Sequence, residues 1–272
     1  IAAQSVGVSQ AAYTEALAYA KDRKQFGMAI IEFPAVAEIL SLMKANLDAS
    51  RSLLYETARF VDVYKALDDI AKERKLTPEE RAEQKTFAKL ADAFTPLGKG
   101  MGSEFANQNA YDCIQIHGGS GFMKDYACER IYRDSRITSI YEGTTQLQVV
   151  AAIRYVTTGA YLARIQEYEN MPVAPELEGL QNRLKSMASK YAACVTQITE
   201  AKDQELLDFC ARRLVEMAAH IIMGHLMVQD ASKSDLFSES AQVYVRYAEA
   251  EVEKHINFIR KFDKDDLAYY RK

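Results

Sequence analysis

The spacing of the apolar residues is the feature that most limits what this chain can fold into. Leucine, isoleucine, valine, methionine and alanine recur every three to four positions along most of its length, the period of one face of an α-helix. No strand-like alternation persists, and the 272 residues include only 5 prolines and 12 glycines. Because both residues disfavour helix interiors, their scarcity favours long helices. We therefore predict an all-α protein with two helical units.

A polar segment with two prolines separates the two predicted units. Residues 167–176 read EYENMPVAPE and form the predicted linker between a first domain, 1–166, and a second, 177–272. Three amphipathic helices are expected in the second domain. Within the first, Thr77 followed by Pro78 and by Glu80 three positions after it is typical of a capped helix start.

Charge and cysteine usage exclude several classes of function. The net charge of −4 gives no reason to expect binding to nucleic acid or to an anionic membrane, and no apolar run approaches the roughly 20 residues of a bilayer span. The four cysteines lack metal-type spacing, so we predict no metal. Free thiols and the absence of a signal sequence suggest a cytoplasmic protein. The chain opens inside a helical pattern without methionine, which predicts a fragment.

Two loops carry residues that could do chemistry. Three glycines between Gln115 and Gly121 are either an ordinary helix stop, the better reading from these residues alone, or a place where backbone donors approach an anion. Glu142 stands in a turn before a helix start, where it either interacts with the helix dipole or faces a ligand. Arg23 likewise serves a helix C-terminus or contacts an anion.

Four blocks taken together resemble the C-terminal helical domain of FAD-dependent acyl-CoA dehydrogenases. They are RKQFG at 23–27, QIHGGSGF at 115–122, RD at 133–134 and IYEGTTQLQ at 140–148, in the family's order and spacing. The resemblance implies a four-helix up-and-down bundle for the first domain. The smaller helical unit that follows resembles the extra C-terminal domain of a longer bacterial subgroup. In the family, a helical domain and a β-domain precede this part.

The same resemblance implies a reaction and its residues. Glu142 corresponds to the catalytic base that removes the α-proton of an acyl-CoA, while the β-hydrogen leaves as hydride to FAD and a trans-2-enoyl-CoA forms. Tyr141 and Gly143 would lie beside the substrate. Thr144 and Gln146 would lie on the diphosphate side of FAD.

A second group of residues is implied to act across a subunit interface. Arg23, Phe26, Gln115 and Gly119 resemble the residues that reach the FAD of a neighbouring subunit, so a homodimer or homotetramer is expected. The expected electron acceptor is an electron-transfer flavoprotein, and the fragment alone is expected to be inactive. The alternatives are an acyl-CoA oxidase of the same fold and a non-catalytic helical oligomerisation module.

Overall fold

Helices make up nearly all of the regular structure. The computed structural model describes residues 1–271, and its contacts divide the chain into unit 1 (Ile1–Gln148) and unit 2 (Val149–Lys272). Apart from one two-stranded hairpin, every regular element in residues 1–271 is helical, which confirms the all-α prediction. Over the same residues, no helix is both long enough and apolar enough to cross a membrane.

Unit 1 contains three long helices and several short elements. Its helices are α1 (Ala2–Asp22), α2 (Pro34–Glu73), α3 (Pro78–His117), α4 (Gly119–Phe122) and α5 (Cys128–Ser135), and α6 (Thr145–Thr157) begins in it. Strand β1 (Lys24–Gln25) pairs antiparallel with β2 (Met28–Ala29). The predicted start of α3 is confirmed: Thr77 Oγ1 accepts from the Glu80 amide at 3.2 Å, and the Glu80 carboxylate accepts from the Thr77 amide at 2.9 Å.

The core of unit 1 lies between α1, α2 and α3, which pack pairwise. Ala12, Ala16 and Ala20 bury one face of α1 against Met43 of α2 and Cys113 of α3. Such small side chains let helices approach closely. Helix α5 packs against α3 and α1 and brings the segment before Glu142 onto this core. The four-helix up-and-down arrangement remains a prediction.

Unit 2 is built mainly from α8, α9 and α10, which pack pairwise. Its helices after α6 are α7 (Ala160–Glu169), α8 (Glu178–Glu200), α9 (Gln204–Lys233) and α10 (Ser238–Lys261). The three amphipathic helices expected in this part are therefore present. Helix α6 ends at Thr157, earlier than the predicted end near residue 162, and Gly159 follows with φ +74°. Helix α7 runs three residues into the expected linker, and the domain boundaries at 166 and 177 stay predictions.

Two histidines are buried in the middle of α9. His220 Nδ1 lies 3.1 Å from Tyr244 Oη, and the ring of His225 stacks on that of Tyr168 at 6.3 Å. Burial lowers the pKa of both imidazoles from 6.5 to about 4. Both are therefore neutral in the folded protein at neutral pH, which fits a structural role for each.

We expect unit 2 to lose stability as the pH falls from 6.5 towards 4. The unfolded histidines bind protons below pH 6.5 and the folded ones only near pH 4, so acid favours the unfolded chain over this range. Each shift corresponds to about 3 kcal/mol once the pH is below both values. The protection factors of α9 peptides, which are exchange rates corrected for the slower intrinsic exchange in acid, should fall over this range. His220→Gln, which retains a partner for Tyr244, should make α9 less sensitive to acid, and an unchanged pH dependence would contradict this account.

Candidate active site

A tight hairpin turns the chain between α1 and α2. The two residues at its tip, Phe26 and Gly27, have φ of +51° and +87°, as a type I′ turn requires. The Ile30 amide donates to the Arg23 carbonyl at 2.9 Å and closes the hairpin at its base. Phe26 is 86% exposed and its ring meets that of Phe33 edge-on at 6.3 Å. The hairpin thus holds Arg23 at its base and displays an aromatic ring at its tip.

A glycine turn ends α3 and begins α4. Gly118 has φ +59°, and its carbonyl accepts from the Gly121 amide at 2.9 Å. Gly121 lies directly over the last turn of α3: a Cβ there would stand 2.6 Å from the Ile114 carbonyl oxygen and 2.9 Å from the His117 Cβ. At Gly119, by contrast, a Cβ would meet no atom within 4 Å. The turn is therefore packed against α3 at Gly121 and open at Gly119.

The hairpin and the glycine turn enclose a pocket of about 570 Å³. Arg23, Gln115 and Gly119, three of the four residues predicted to reach a neighbour's FAD, line it together. Phe26 does not line it, but its ring contacts Phe33, which does. The pocket therefore offers a guanidinium, an amide side chain and an open stretch of backbone beside apolar walls.

His117 contributes a polar atom that the sequence did not single out. Its ring stacks on Tyr19 at 4.2 Å and lines the same pocket. Nδ1 lies 2.8 Å from the Cys113 carbonyl oxygen and therefore donates its hydrogen there, which leaves Nε2 as an acceptor. Nε2 is buried and has no hydrogen-bond partner within residues 1–271. In the sequence, this contact was indicated only by the i, i+4 spacing of Cys113 and His117 just before Gly118.

Two thiols lie close to the same histidine. Cys113, His117 and Cys128 are buried, and one donor atom of each lies within 4.8 Å of the others. Burial raises the pKa of the Cys113 thiol to about 12 and raises that of Cys128 as well. The thiols are thus protonated at neutral pH, and His117 Nδ1 is occupied by a carbonyl. These three side chains pack as part of the core. The two cysteines are 15 residues apart in the chain, so the sequence did not indicate that their thiols lie close together.

The turn that carries Glu142 lies between α5 and α6. Glu142 is exposed, and it has φ +51°, which is rare for a residue with a side chain. Gly143 follows with φ +92°, and a Cβ there would lie 2.9 Å from Gln148 Nε2. The Tyr141 hydroxyl donates to the Gln4 side chain of α1. The acidic residue therefore projects from a backbone fixed on both sides.

The start of α6 is anchored by side-chain hydrogen bonds. Thr144 Oγ1 accepts from the Leu147 amide at 3.4 Å, as an N-cap residue does. The Thr145 hydroxyl donates to Glu104 of α3 at 2.6 Å. Thr144 and Gln146 are both exposed in this first turn, where free amides suit an anion. Sequence reasoning therefore placed Tyr141, Glu142, Gly143, Thr144 and Gln146 correctly at one turn.

Lys99 is a second residue that sequence reasoning missed, and it contacts the Glu142 turn. It lies in α3 and is only 6% exposed. Its ammonium donates to the Gly143 carbonyl oxygen, which also accepts from Gln148 Nε2 at 3.3 Å. Burial lowers the pKa of Lys99, while Glu104 and Glu142 act in the opposite direction. A charged residue between Gly98 and Gly100 in an otherwise buried helix segment was the available signal.

Comparison with known proteins assigns the class to which this helical domain belongs. The family model described as "Acyl-CoA dehydrogenase, C-terminal domain" matches residues 1–155, more than half of the chain. A second model, "Acyl-CoA dehydrogenase C terminal", matches residues 157–267. The chain therefore belongs to the acyl-CoA dehydrogenase family and represents its C-terminal helical region.

Individual relatives agree with this assignment. The chain is 38% identical over 148 residues to the caffeyl-CoA reductase–Etf complex subunit CarC of Acetobacterium woodii, covering 54% of this chain and 33% of that protein. It is 38% identical over 154 residues to the probable acyl-CoA dehydrogenase YngJ of Bacillus subtilis, covering 57% and 34%. The chain thus spans about a third of the length of these relatives.

A solved structure has the same fold over nearly the whole chain. The acyl-CoA dehydrogenase of Bacillus anthracis, solved in complex with FAD, aligns with a TM-score of 0.73 and 24% identity. The alignment covers 98% of this chain and 49% of that one. It supports the fold.

Proposed function

We propose that this chain is the C-terminal part of a flavoenzyme that α,β-dehydrogenates an acyl-CoA thioester, with Glu142 as the base. The observation that carries the proposal is the position of the exposed Glu142 carboxylate. The carbonyl of the next residue, Gly143, is fixed by hydrogen bonds from Lys99 and Gln148. In a chain of this family, a carboxylate held on such a turn fits a proton acceptor whose position matters.

The proposed reaction removes one proton and one hydride from neighbouring carbons. The Glu142 carboxylate takes the proton from the α-carbon, and the electron pair of that C–H bond forms the new double bond as hydride leaves the β-carbon. FAD, when bound, supplies the hydride acceptor. Tyr141 and Gly143 flank the base and would border the thioester, and the product is a trans-2-enoyl-CoA.

The chain's own residues fit a role in holding FAD. Arg23 offers a fork of donors suited to a diphosphate, Gln115 offers an amide, and the open backbone at Gly119 permits close approach. The exposed ring of Phe26 can cover a planar group. Since these residues serve a neighbour's FAD in the family resemblance, the proposed assembly is a homodimer or homotetramer.

The second set of FAD contacts is proposed at the start of α6. Thr144 immediately precedes this helix and Gln146 lies in its first turn, where backbone amides and the helix dipole favour phosphate oxygens. This places the diphosphate contacts within four residues of the proposed base. An electron-transfer flavoprotein is the proposed electron acceptor, which the Etf complex named for the Acetobacterium relative supports.

The reverse reaction is the second candidate. The name of that relative describes a reductase acting on an unsaturated CoA thioester, and the same base and hydride carrier serve both directions by microscopic reversibility. In that direction protonated Glu142 would deliver the α-proton. The driving force of the electron partner then decides the direction.

Anaerobic flavin spectroscopy of the complete polypeptide tests the proposed function. A panel of acyl-CoAs should bleach the flavin, and enoyl-CoAs should reoxidise the reduced flavin. Rapid reoxidation by oxygen, with peroxide formed, would indicate an acyl-CoA oxidase instead. A well-folded polypeptide that holds no flavin would favour a helical oligomerisation module and contradict the proposal.

Replacing Arg23 should weaken flavin retention. Arg23→Met removes a cation and its donors from the pocket, and the loss of a charged hydrogen bond of about 1.5–3 kcal/mol corresponds to about 10- to 100-fold weaker FAD binding. Equilibrium dialysis of the apoprotein against FAD gives the affinity. Arg81→Met, at an exposed position of α3, is the matched control. Equal affinities of the two variants would remove Arg23 from the proposed site.

A further inference from the structure

A buried lysine in the middle of α3 makes a contact far away in sequence. Lys99 lies in a buried stretch of α3 between Gly98 and Gly100, and only 6% of it is exposed to water. A buried ammonium is unfavourable unless it is hydrogen-bonded to a group that can offset its lost hydration. The group it meets is the carbonyl of Gly143, 44 residues later. This contact joins α3 directly to the Glu142 turn.

The backbone on the far side of this contact is strained. Glu142 and Gly143 both have φ in the left-handed region, at +51° and +92°. For Glu142 this conformation is unfavourable and persists only when surrounding contacts hold it. The Gly143 carbonyl accepts two hydrogen bonds, from Lys99 and from Gln148, so the Gly143–Thr144 peptide plane, one residue beyond Glu142, is fixed in direction.

The charges around the ammonium form a small network. Glu104, one turn along α3, and Glu142, on the turn, are the two acidic groups that act on Lys99. Glu104 also accepts the Thr145 hydroxyl at 2.6 Å, so its carboxylate joins the same lysine environment to the start of α6. The Tyr141 hydroxyl, just before Glu142, donates to the neutral Gln4 side chain of α1. Lys99 therefore lies in an environment that also includes Glu104 and Glu142.

We propose that Lys99 is a positioning residue for the proposed dehydrogenation: it holds the Glu142 turn in its strained conformation and keeps a positive charge near the carboxylate. This inference rests on the proposed function of Glu142. Lys99 touches neither flavin nor substrate in this role, and acts through the Gly143 carbonyl. By fixing the Gly143 carbonyl it fixes where the Glu142 carboxylate stands relative to the α-carbon of the substrate. Losing Lys99 should therefore slow proton removal more than it weakens acyl-CoA binding.

Stopped-flow reduction of the flavin in the complete polypeptide tests this role. Lys99→Met keeps the length of the side chain but removes its donor and charge. At saturating acyl-CoA we expect the reduction rate to fall about 10- to 100-fold, as for a misplaced catalytic group. Acyl-CoA affinity should stay within about twofold, because the substrate contacts are kept.

Three further variants make the comparison decisive. Lys99→Arg keeps a charged donor for the Gly143 carbonyl and should restore most of the reduction rate. Lys89→Met is the same substitution at an exposed position of α3 and should match the parent. If Lys99→Met does not fold, Lys99→Gln, which keeps a donor without charge, is compared in its place.

The outcomes separate this inference from the proposed function. If Lys99→Met and Lys99→Gln match Lys89→Met in reduction rate while Glu142→Gln is inactive, the role of Lys99 is wrong and that of Glu142 stands. If Glu142→Gln reduces its flavin at the parent rate, both proposals are overturned.

Discussion

Glu142→Gln should lower the rate of flavin reduction by acyl-CoA about 10²- to 10⁴-fold, the usual contribution of a general base. Glutamine keeps the shape of the side chain and the hydrogen bonds of the Gly143 peptide, but its amide does not accept the α-proton at neutral pH. Since Glu142 is exposed, the fold should be unaffected. The change should therefore appear in the chemical step alone.

The measurement combines binding and kinetics on the same protein. Acyl-CoA binding, followed by the perturbation of the flavin spectrum, should be retained in Glu142→Gln while bleaching is lost or slowed. Glu83→Gln, an exposed position of α3, supplies the matched control and should bleach like the parent. A Glu142→Gln protein that bleaches as fast as the control would show that the base lies elsewhere.

Gly121→Ala should destabilise unit 1 by about 3 kcal/mol, the upper part of the range for overpacking. The new methyl group would stand 2.6 Å from the Ile114 carbonyl oxygen and 3.0 Å from the Ile114 Cα, and backbone atoms do not move aside as a flexible side chain does. The turn would have to lift off the end of α3. Gln115 and Gly119, which line the pocket, lie just before Gly121 in the chain. Their displacement should widen the pocket, so FAD affinity should fall together with stability.

Gly119→Ala is the matched control for this prediction. It is the same substitution two residues earlier, where a Cβ meets nothing within 4 Å. Urea unfolding is monitored by hydrogen exchange of peptides from α3 and α5. The urea concentration at the unfolding midpoint should be lower for Gly121→Ala and close to that of the parent for Gly119→Ala. Similar midpoints for the two variants would mean that the turn is more adaptable than its packing indicates.

The long helices were predictable because their signals are local. The apolar period and the Thr77 cap act within one or two turns, and α3 begins at Pro78, as its capped start predicted. The hairpin after α1 was missed because each strand has two residues, too few for any alternation, and because the first of its two positive-φ turn residues is a phenylalanine. The end of α6 was missed although Gly159 marked it.

The candidate site was only half visible in the sequence. The residues of the IYEGTTQLQ block are adjacent in the chain, so their placement on one turn follows from the sequence alone. The pocket and the Lys99 contact join residues tens of positions apart, and no periodicity or spacing rule links α3 to the Glu142 turn. What joins them is the packing of α3 within unit 1, which is a tertiary property.

The measurement that tests the central claim most directly is exchange of the substrate's α-protons. An acyl-CoA with sulfur in place of the β-carbon cannot lose a hydride, so the loss of its α-protons to D₂O, read by mass spectrometry, reports proton removal alone. The complete flavin-loaded polypeptide should exchange these protons, and Glu142→Gln should do so at least about 100-fold more slowly. Equal exchange by the two proteins would contradict the assignment of Glu142 as the base.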